Sequence, residues 1–296
     1  MNSLKDVWSA KAAALDDVLD KVLPPASSRP KILHESMRYS SMKGGKRFRG
    51  FLVCCCAELF GGNPEAALLT GAAIEMIHAY SLIHDDLPCM DNDDFRHGKP
   101  SNHKAYGEAV ALLAGDALLT HTFAILCDLM FYGIPPVKVV NIIKEIADAI
   151  DTNGMIGGQV EDMMAEGEKI SGDDLYFIHK NKTGALIISS ARAGAMLGEP
   201  FSGDLDALTD YAGSIGLAFQ ITDDILNEIG DPETTGKPVR NDKKRAKATY
   251  ISLFGLEKSI LSAKSEVQKA HRSLECFGGK AELLHQLADY ILTRTK

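Results

Sequence analysis

Strand-period alternation of apolar and polar residues is almost missing from this chain, which leaves helices as its building material. Its six cysteines (54, 55, 56, 89, 127 and 276) form no Cys-x-x-Cys pair. Cys54, Cys55 and Cys56 are neighbours in an apolar run and point about 100° apart on a helix, which suits packing better than shared metal ligation. They read as reduced core residues in a reducing, cytoplasmic compartment. About 18 uninterrupted apolar residues never occur, so no spanning helix is expected. Residues 1–23 mix charges with helically spaced apolar residues and lack a secretory core. A basic surplus is absent too: the formal net charge of −8 argues against a general nucleic-acid binder. There is no Ser/His/Asp grouping, dinucleotide fingerprint or Walker-type loop, which disfavours acyl transfer and hydride chemistry. No Ser/Gly-rich linker or low-complexity tract divides residues 1–296, so a single domain is expected.

What is present is ordinary for a globular protein: 45% apolar and 24% charged residues over 296 positions. A chain of this length buries a large core without disulfides. Helical period runs through Val7–Val22, stopped by Pro24-Pro25, then through about 32–40, 48–59 and 64–87, the last opened by Asn63-Pro64. Residues 88–102 read as a loop. Helices follow over about 108–131, 136–150, 154–165, 173–197 and 205–229, then a charged loop at 230–247 and two helices broken at Gly278-Gly279. The simplest architecture is one all-α bundle with its polar groups in a central cleft.

Two stretches share a plan. Asp85-Asp86 is followed by Asp93, eight positions after the first, and by Gly98-Lys99-Pro100, thirteen after it. Asp223-Asp224 is followed in the same way by Asp231 and by Gly236-Lys237-Pro238. One acidic helix end is a commonplace of solvated surfaces. A pair with one layout, each closing an apolar helix against the negative end of its dipole, reads as facing carboxylate claws around a divalent cation. Oxygen-only ligands favour Mg2+ over Zn2+. Asp223, Asp224 and Asn227 are three and four apart, on roughly one helix face.

Cations stand where a phosphate would want them. Gly44-Gly45-Lys46-Arg47-Phe48-Arg49 opens a helix, and Arg96, Lys99, Lys182, Lys237 and Lys247 flank acidic or glycine-containing loops. A solvated basic helix start is the plain alternative. His78 lies about two turns before Asp85, as a core histidine or as a ligand. Lys182-Thr183-Gly184 and Gln220 interrupt apolar helices, and either a cavity holding an anion or a local helix–helix hydrogen bond would satisfy them. Together these features favour metal-assisted departure of a phosphate group.

The chain closely resembles the short-chain trans-prenyl diphosphate synthases. The matching segments are Gly44 to Arg49, Glu75-Met76-Ile77-His78-Ala79-Tyr80-Ser81-Leu82-Ile83-His84-Asp85-Asp86, Gly98-Lys99-Pro100, Gly157-Gly158-Gln159, His179 to Ala185 and Gly216 to Asp224. The resemblance implies an all-α isoprenoid-synthase bundle around a central cavity, acting as a homodimer on isoprenyl diphosphates. It implies an allylic diphosphate bridged by Mg2+, with about three ions gathered when substrate is bound, to Asp85, Asp86 and Asp91 on one side and Asp223 and Asp224 on the other. Arg96, Lys182, Lys237 and Lys247 would contact its phosphates. Lys182, Thr183 and Gln220 would face the allylic cation. Isopentenyl diphosphate would be held without metal by Lys46, Arg49, His78 and His97, and the departed diphosphate would take the final proton.

Product length would be set at Tyr80 and Ser81, five and four residues before Asp85. The bulky Tyr80 and the long Asp-Asp-x-x-x-x-Asp spacing resemble bacterial farnesyl diphosphate synthases, so the expected product is (2E,6E)-farnesyl diphosphate, at C15. Geranylgeranyl or geranyl diphosphate synthesis is the rival. Three positions depart from the family pattern: His97 for a second arginine, Asn227 for aspartate, and Gly50 for proline. The first two raise a non-catalytic partner subunit as a further alternative. Glu75-x-x-His78 and Glu282-x-x-His285 would suit a di-iron bundle, a reading that leaves the aspartates and lysines unexplained.

Overall fold

A computed structural model describes residues 3–42, 45–229 and 248–294. These are helical, with one two-stranded hairpin among them. They pack as two compact units: Met1–Ile143 with Met196–Gly198, and Lys144–Ala195 with Glu199–Lys296.

The first unit is built from α1 (Leu4–Val22), α2 (Lys31–Ser41), α3 (Phe48–Leu59), α4 (Pro64–Asp85), β1 (Phe95–Arg96), β2 (Lys99–Pro100), α5 (Asn102–Tyr106) and α6 (Glu108–Cys127). A turn of 3-10 helix, Asp128–Tyr132, and the start of α7 (Pro136–Ile150) follow. α4 starts where the sequence places it. Asn63 Oδ1 accepts from the N–H groups of Glu65 (2.8 Å) and Ala66 (3.2 Å), and Pro64 occupies a position whose N–H has no helical partner. The helix ends at Asp85, two residues short of the expected end.

Small residues let α1, α3 and α4 close on one another. A Cβ on Gly50 would sit 2.8 Å from Leu15 Cδ1, and one on Gly71 would sit 3.1 Å from the Gly50 backbone. Gly50 also donates its N–H to Glu75 Oε1 at 2.9 Å. The residue that departs from the family's proline thus supplies a hydrogen bond that proline lacks. α6 lies on α4, where Thr122 Oγ1 donates to Ala73 O at 3.3 Å. Segments Pro64–Asp85 and Glu108–Tyr132 are each long and apolar enough to cross a membrane by length and composition alone, a test that the core helix of a globular protein also passes. The apolar window of the first is 78% buried and that of the second only 39%.

Residues 88–102, expected as a loop, contain the hairpin. His97 (φ 52°) and Gly98 (φ 73°) are both left-handed, the signature of a two-residue turn matched to strand twist.

The second unit holds the remainder of α7, α8 (Met155–Met164), α9 (Gly172–Ile178), α10 (Ala185–Met196), α11 (Ser202–Ile229), α12 (Tyr250–Phe254), α13 (Leu256–Ser273), a 3-10 segment Glu275–Ala281 and α14 (Glu282–Thr293). One helix was expected over 173–197. Instead a π-helical turn, His179–Gly184, separates α9 from α10. Such turns mark functional positions more often than ordinary helix does. This one lies against two neighbours. A Cβ on Gly158 of α8 would meet Lys182 N at 2.2 Å, and one on Gly216 of α11 would meet Gly184 Cα at 3.2 Å. α13 runs along α11, and the buried Tyr211 donates its O–H to Leu284 O of α14 at 2.8 Å. The first of the two helices expected after 247 is split: α12, capped by Thr249, is stopped by Gly255 at φ 80° before α13 begins.

Candidate active site

In the first unit the aspartates close α4. Asp91 folds back so that its N–H donates to Asp85 O at 2.8 Å, while Asn92 N–H reaches Leu87 O at 3.0 Å. This keeps Asp85 and Asp91 together, both half-buried. Asp86 is different: it is 2% exposed and clamped by Arg96. The Arg96 Nε lies 3.1 and 3.2 Å from its two oxygens, and Nη2 donates both to Asp86 Oδ1 and, at 3.4 Å, to Asp93 Oδ2. Burial opposes the charge on Arg96, but Asp86 first, then Asp93 and Asp85, overcome it and raise its pKa.

Of the cations expected to hold a diphosphate, Arg49, His97 and Arg96 act on the charge of His78. Burial foremost, then the charges of Arg49, His97, Arg96 and Arg47, push its pKa well down, so it stands as a neutral imidazole. Lys46 is exposed, its carbonyl accepting from Trp8 Nε1. Arg47 turns inward at φ 52°. Its Nε donates to Asp16 Oδ1 (2.7 Å), its Nη2 to Ser41 O (2.7 Å), and its Nη1 lies 3.8 Å from Glu75 Oε2. With Gly50 N–H on its other oxygen, Glu75 is a structural counter-ion. Glu282 is exposed and accepts from Gln286. Those engagements count against the di-iron reading.

Tyr80 is 5% exposed. Its hydroxyl pKa is pushed up to about 12, by burial and then by Asp85. Its ring meets His84 edge-on at 5.5 Å. His84 Nε2 lies 3.0 Å from Leu112 O, and its ring fills the notch at Gly115, where a Cβ would come within 2.1 Å of Nε2. Ser81, half-buried, donates to His78 O at 3.0 Å.

In the second unit Lys182 and Thr183 ride on the π turn. Lys182 Nζ donates to Asp162 Oδ2 at 2.6 Å. Thr183 Oγ1 donates to Gln220 Oε1 (3.0 Å), and Gln220 Nε2 to Asp224 Oδ1 (3.3 Å). Tyr250 N–H donates to Asp224 Oδ2 at 2.8 Å. Asp223 is half-exposed and meets Arg294 Nη2 at 2.7 Å, while the same Nη2 also donates to Phe219 O and the guanidinium lies 3.8 Å over the Phe219 ring. His179 is buried with its ring stacked on Tyr250 at 5.6 Å. Burial lowers its pKa to about 4, with Asp162 opposing and Lys182 adding to the shift.

Lys237, Lys247, Gly44, Asp231 and the Gly236-Lys237-Pro238 segment lie outside the described residues. Sequence reasoning missed Asp162, Arg294, Tyr250 and the inward turn of Arg47. Asp162 is one acid in a helix of mixed polarity, and Arg294 one basic residue near the chain end, so neither carried a local signal.

The donors available to a metal are all carboxylate oxygens. Among the described residues no cluster of three or more His, Cys, Asp or Glu forms a ready cage. That donor set fits magnesium, which takes one or two carboxylates and completes its shell with water and phosphate oxygens. Asp85, Asp91 and Asp223 are the half-exposed members.

Residues 30–286 match the polyprenyl synthetase family model. The chain is 43% identical to a geranylgeranyl diphosphate synthase of Cyanophora paradoxa, over 95% of this chain and 93% of that one. It is 42% identical to a farnesyl diphosphate synthase of Escherichia coli, over 95% of each. A crystal structure of an FPP/GFPP synthase from Zymomonas mobilis superposes with a TM-score of 0.87 at 40% identity, covering 98% of both chains. The all-α architecture is therefore the isoprenoid-synthase fold. With its aspartates, clustered cations and π turn carried on that fold, the chain belongs to the polyprenyl synthetase family.

Proposed function

We propose that this prenyltransferase joins an allylic diphosphate, dimethylallyl or geranyl, to isopentenyl diphosphate in the presence of Mg2+ and stops at (2E,6E)-farnesyl diphosphate. Prenyl transfer follows from family membership; the C15 stop is our reading, since the relatives include both farnesyl and geranylgeranyl synthases. The observation that carries the reading is the end of α4. Half-exposed Asp85 and Asp91 stand there, tied by the Asp91 N–H on Asp85 O at 2.8 Å, with Arg96 held on Asp86 beside them and the neutral His78 two turns back. A bound polyanion with its counter-cation would use both the carboxylates and the cation.

In this reading Asp85 and Asp91 of the first unit would hold magnesium, as would Asp223 of the second, and Asp86 keeps Arg96 aimed at the allylic phosphates. When bound, magnesium would offset the charge that grows on diphosphate as the C–O bond breaks. Lys46, Arg49 and His97 bind isopentenyl diphosphate, while the neutral His78 donates an N–H to it without adding charge. Lys182, released from Asp162 toward the allylic phosphates, and the oxygens of Thr183 and Gln220 face the carbon left positive. Lys237 and Lys247 are assigned to the same phosphates. Tyr80, fixed by His84, closes the path of the growing chain.

We further infer a cytoplasmic homodimer. α6 is the more apolar of the two long helices yet the less buried, and it exposes Leu112, Leu113 and, just beyond its end, Phe131. A stripe of that kind needs a cover, and a second copy of the chain supplies one. Leu113→Glu should then sediment as a monomer.

The test of activity is incubation of the purified chain with Mg2+, isopentenyl diphosphate and each starter, followed by chain-length analysis. C15 from both starters is expected. A dominant C20 product overturns the stop at Tyr80, and no product at all points to a partner subunit.

A further inference from the structure

Asp224 stands in the aspartate pair, but its surroundings point to a different task. It is 6% exposed, and each oxygen already accepts from the protein: Oδ2 from Tyr250 N–H at 2.8 Å, Oδ1 from the Gln220 amide at 3.3 Å. An ionised carboxylate can only accept. Gln220 must therefore show it the NH2 end of its amide, which turns Oε1 the other way, onto Thr183 Oγ1 at 3.0 Å. An amide oxygen also only accepts. Thr183 has one hydrogen, and Gln220 Oε1 takes it. The two lone pairs of Thr183 Oγ1 are then the part of the hydroxyl left to face anything else beside Lys182.

We propose that Asp224 is a positioning residue that sets the direction of the Thr183–Gln220–Asp224 hydrogen-bond chain, so that Thr183 turns lone pairs and not its hydrogen toward the developing allylic cation. The proposal rests on the reading above, in which Thr183 faces that carbon. No atom is transferred along the chain. Its effect is electrostatic and pre-set, because the dipole need not reorient as positive charge appears. Tyr250 anchors the far end through its backbone, and its ring is held in turn by His179. This gives the buried histidine a use: it keeps a backbone N–H on Asp224.

Asp224→Asn tests the direction while keeping the shape. The asparagine oxygen retains Tyr250 N–H, and its NH2 now faces Gln220. The Gln220 amide must turn over, its own NH2 meets Thr183, and Thr183 becomes the acceptor with its hydrogen released toward the substrate. The expected result is a kcat lower by about 10- to 100-fold. Both diphosphate KM values, and the affinity for Mn2+ with inorganic pyrophosphate measured by calorimetry, should stay within about twofold. In a Thr183→Val background the same substitution should cost less than about twofold, because the group it acts through is gone. Thr183→Ser should recover most of the activity lost in Thr183→Val.

Full additivity of the Asp224 and Thr183 losses overturns the proposal and leaves the reading intact. So does a tenfold weakening of Mn2+–pyrophosphate binding, which would make Asp224 a metal ligand. A wild-type kcat in Thr183→Val removes the reading and the proposal together. Should Asp224→Asn not fold, Gln220→Leu asks the same question one link along: it must lower kcat when Thr183 is present and be silent in Thr183→Val.

Discussion

Gly115→Ala should reverse the sign of its effect on stability according to what stands at position 84. Gly115 is in the middle of α6, and a Cβ there would lie 2.1 Å from His84 Nε2 and 2.4 Å from Cδ2. The ring has to leave its notch, which breaks its bond to Leu112 O. Crowding a packed interface costs about 1–3 kcal/mol, and the lost hydrogen bond about 0.5–1.5 kcal/mol. Alanine in place of glycine inside a helix returns about 1 kcal/mol. The net is a destabilisation of about 2 kcal/mol. In a His84→Ala background there is no ring to displace. There the same substitution should stabilise by about 1 kcal/mol, leaving a coupling between the two sites of about 3 kcal/mol. Urea denaturation of the four proteins measures this directly. An equal cost in both backgrounds would refute the packing argument. Product analysis of the same proteins adds a functional readout, since a displaced His84 loses its contact with the Tyr80 ring.

Tyr80→Ala should shift the product from C15 to C20 or longer, read by chain-length analysis; an unchanged C15 product counts against the proposed stop. Arg47→Met leaves Glu75 buried with Gly50 N–H as its remaining described partner, so it should destabilise by about 3–5 kcal/mol, and adding Glu75→Leu should recover most of that loss in thermal unfolding. His97→Arg restores a permanent charge among the groups acting on His78, so KM for isopentenyl diphosphate should fall several-fold while kcat changes little. Cys54, Cys55 and Cys56 are buried, and burial pushes the Cys54 thiol up to about 12 and the other two upward as well. A thiol reagent near pH 8 should therefore label Cys89, Cys127 and Cys276 quickly and the other three only on unfolding.

What could be read in advance was whatever local chemistry decides. Asn63-Pro64 opens a helix wherever it falls, Pro24-Pro25 ends one, and the span Phe48–Leu59 needed nothing beyond its apolar run and the glycines after it. The hairpin at 95–100 was missed because its two-residue strands are too short to alternate; the His97-Gly98 turn was the available signal. The π turn carries no local signal, and the glycines it packs against, Gly158 and Gly216, lie on other helices. Within the site, residue types were legible and partners were not. Arg47 and Arg49 look alike in sequence, yet one is turned inward to Asp16, 31 positions away. Arg96 was expected at a phosphate, and its grip on Asp86 belongs to tertiary structure. Spacing put Asp223 and Asp224 on roughly one helix face, but their different exposures depend on Tyr250 and Arg294, contributed from far along the chain.

On the proposed function, the fold-back after α4 bears on how tightly magnesium would be gripped. Asp91 N–H on Asp85 O, and Asn92 N–H on Leu87 O, tie the segment between them into a closed ring. Its third acid would therefore already be in place for an ion, and ordering that backbone would take nothing away from the binding free energy. Removing Pro88 and Cys89 would open the ring and hand the cost of rearranging a loose tether back to the ion, even though every carboxylate remained.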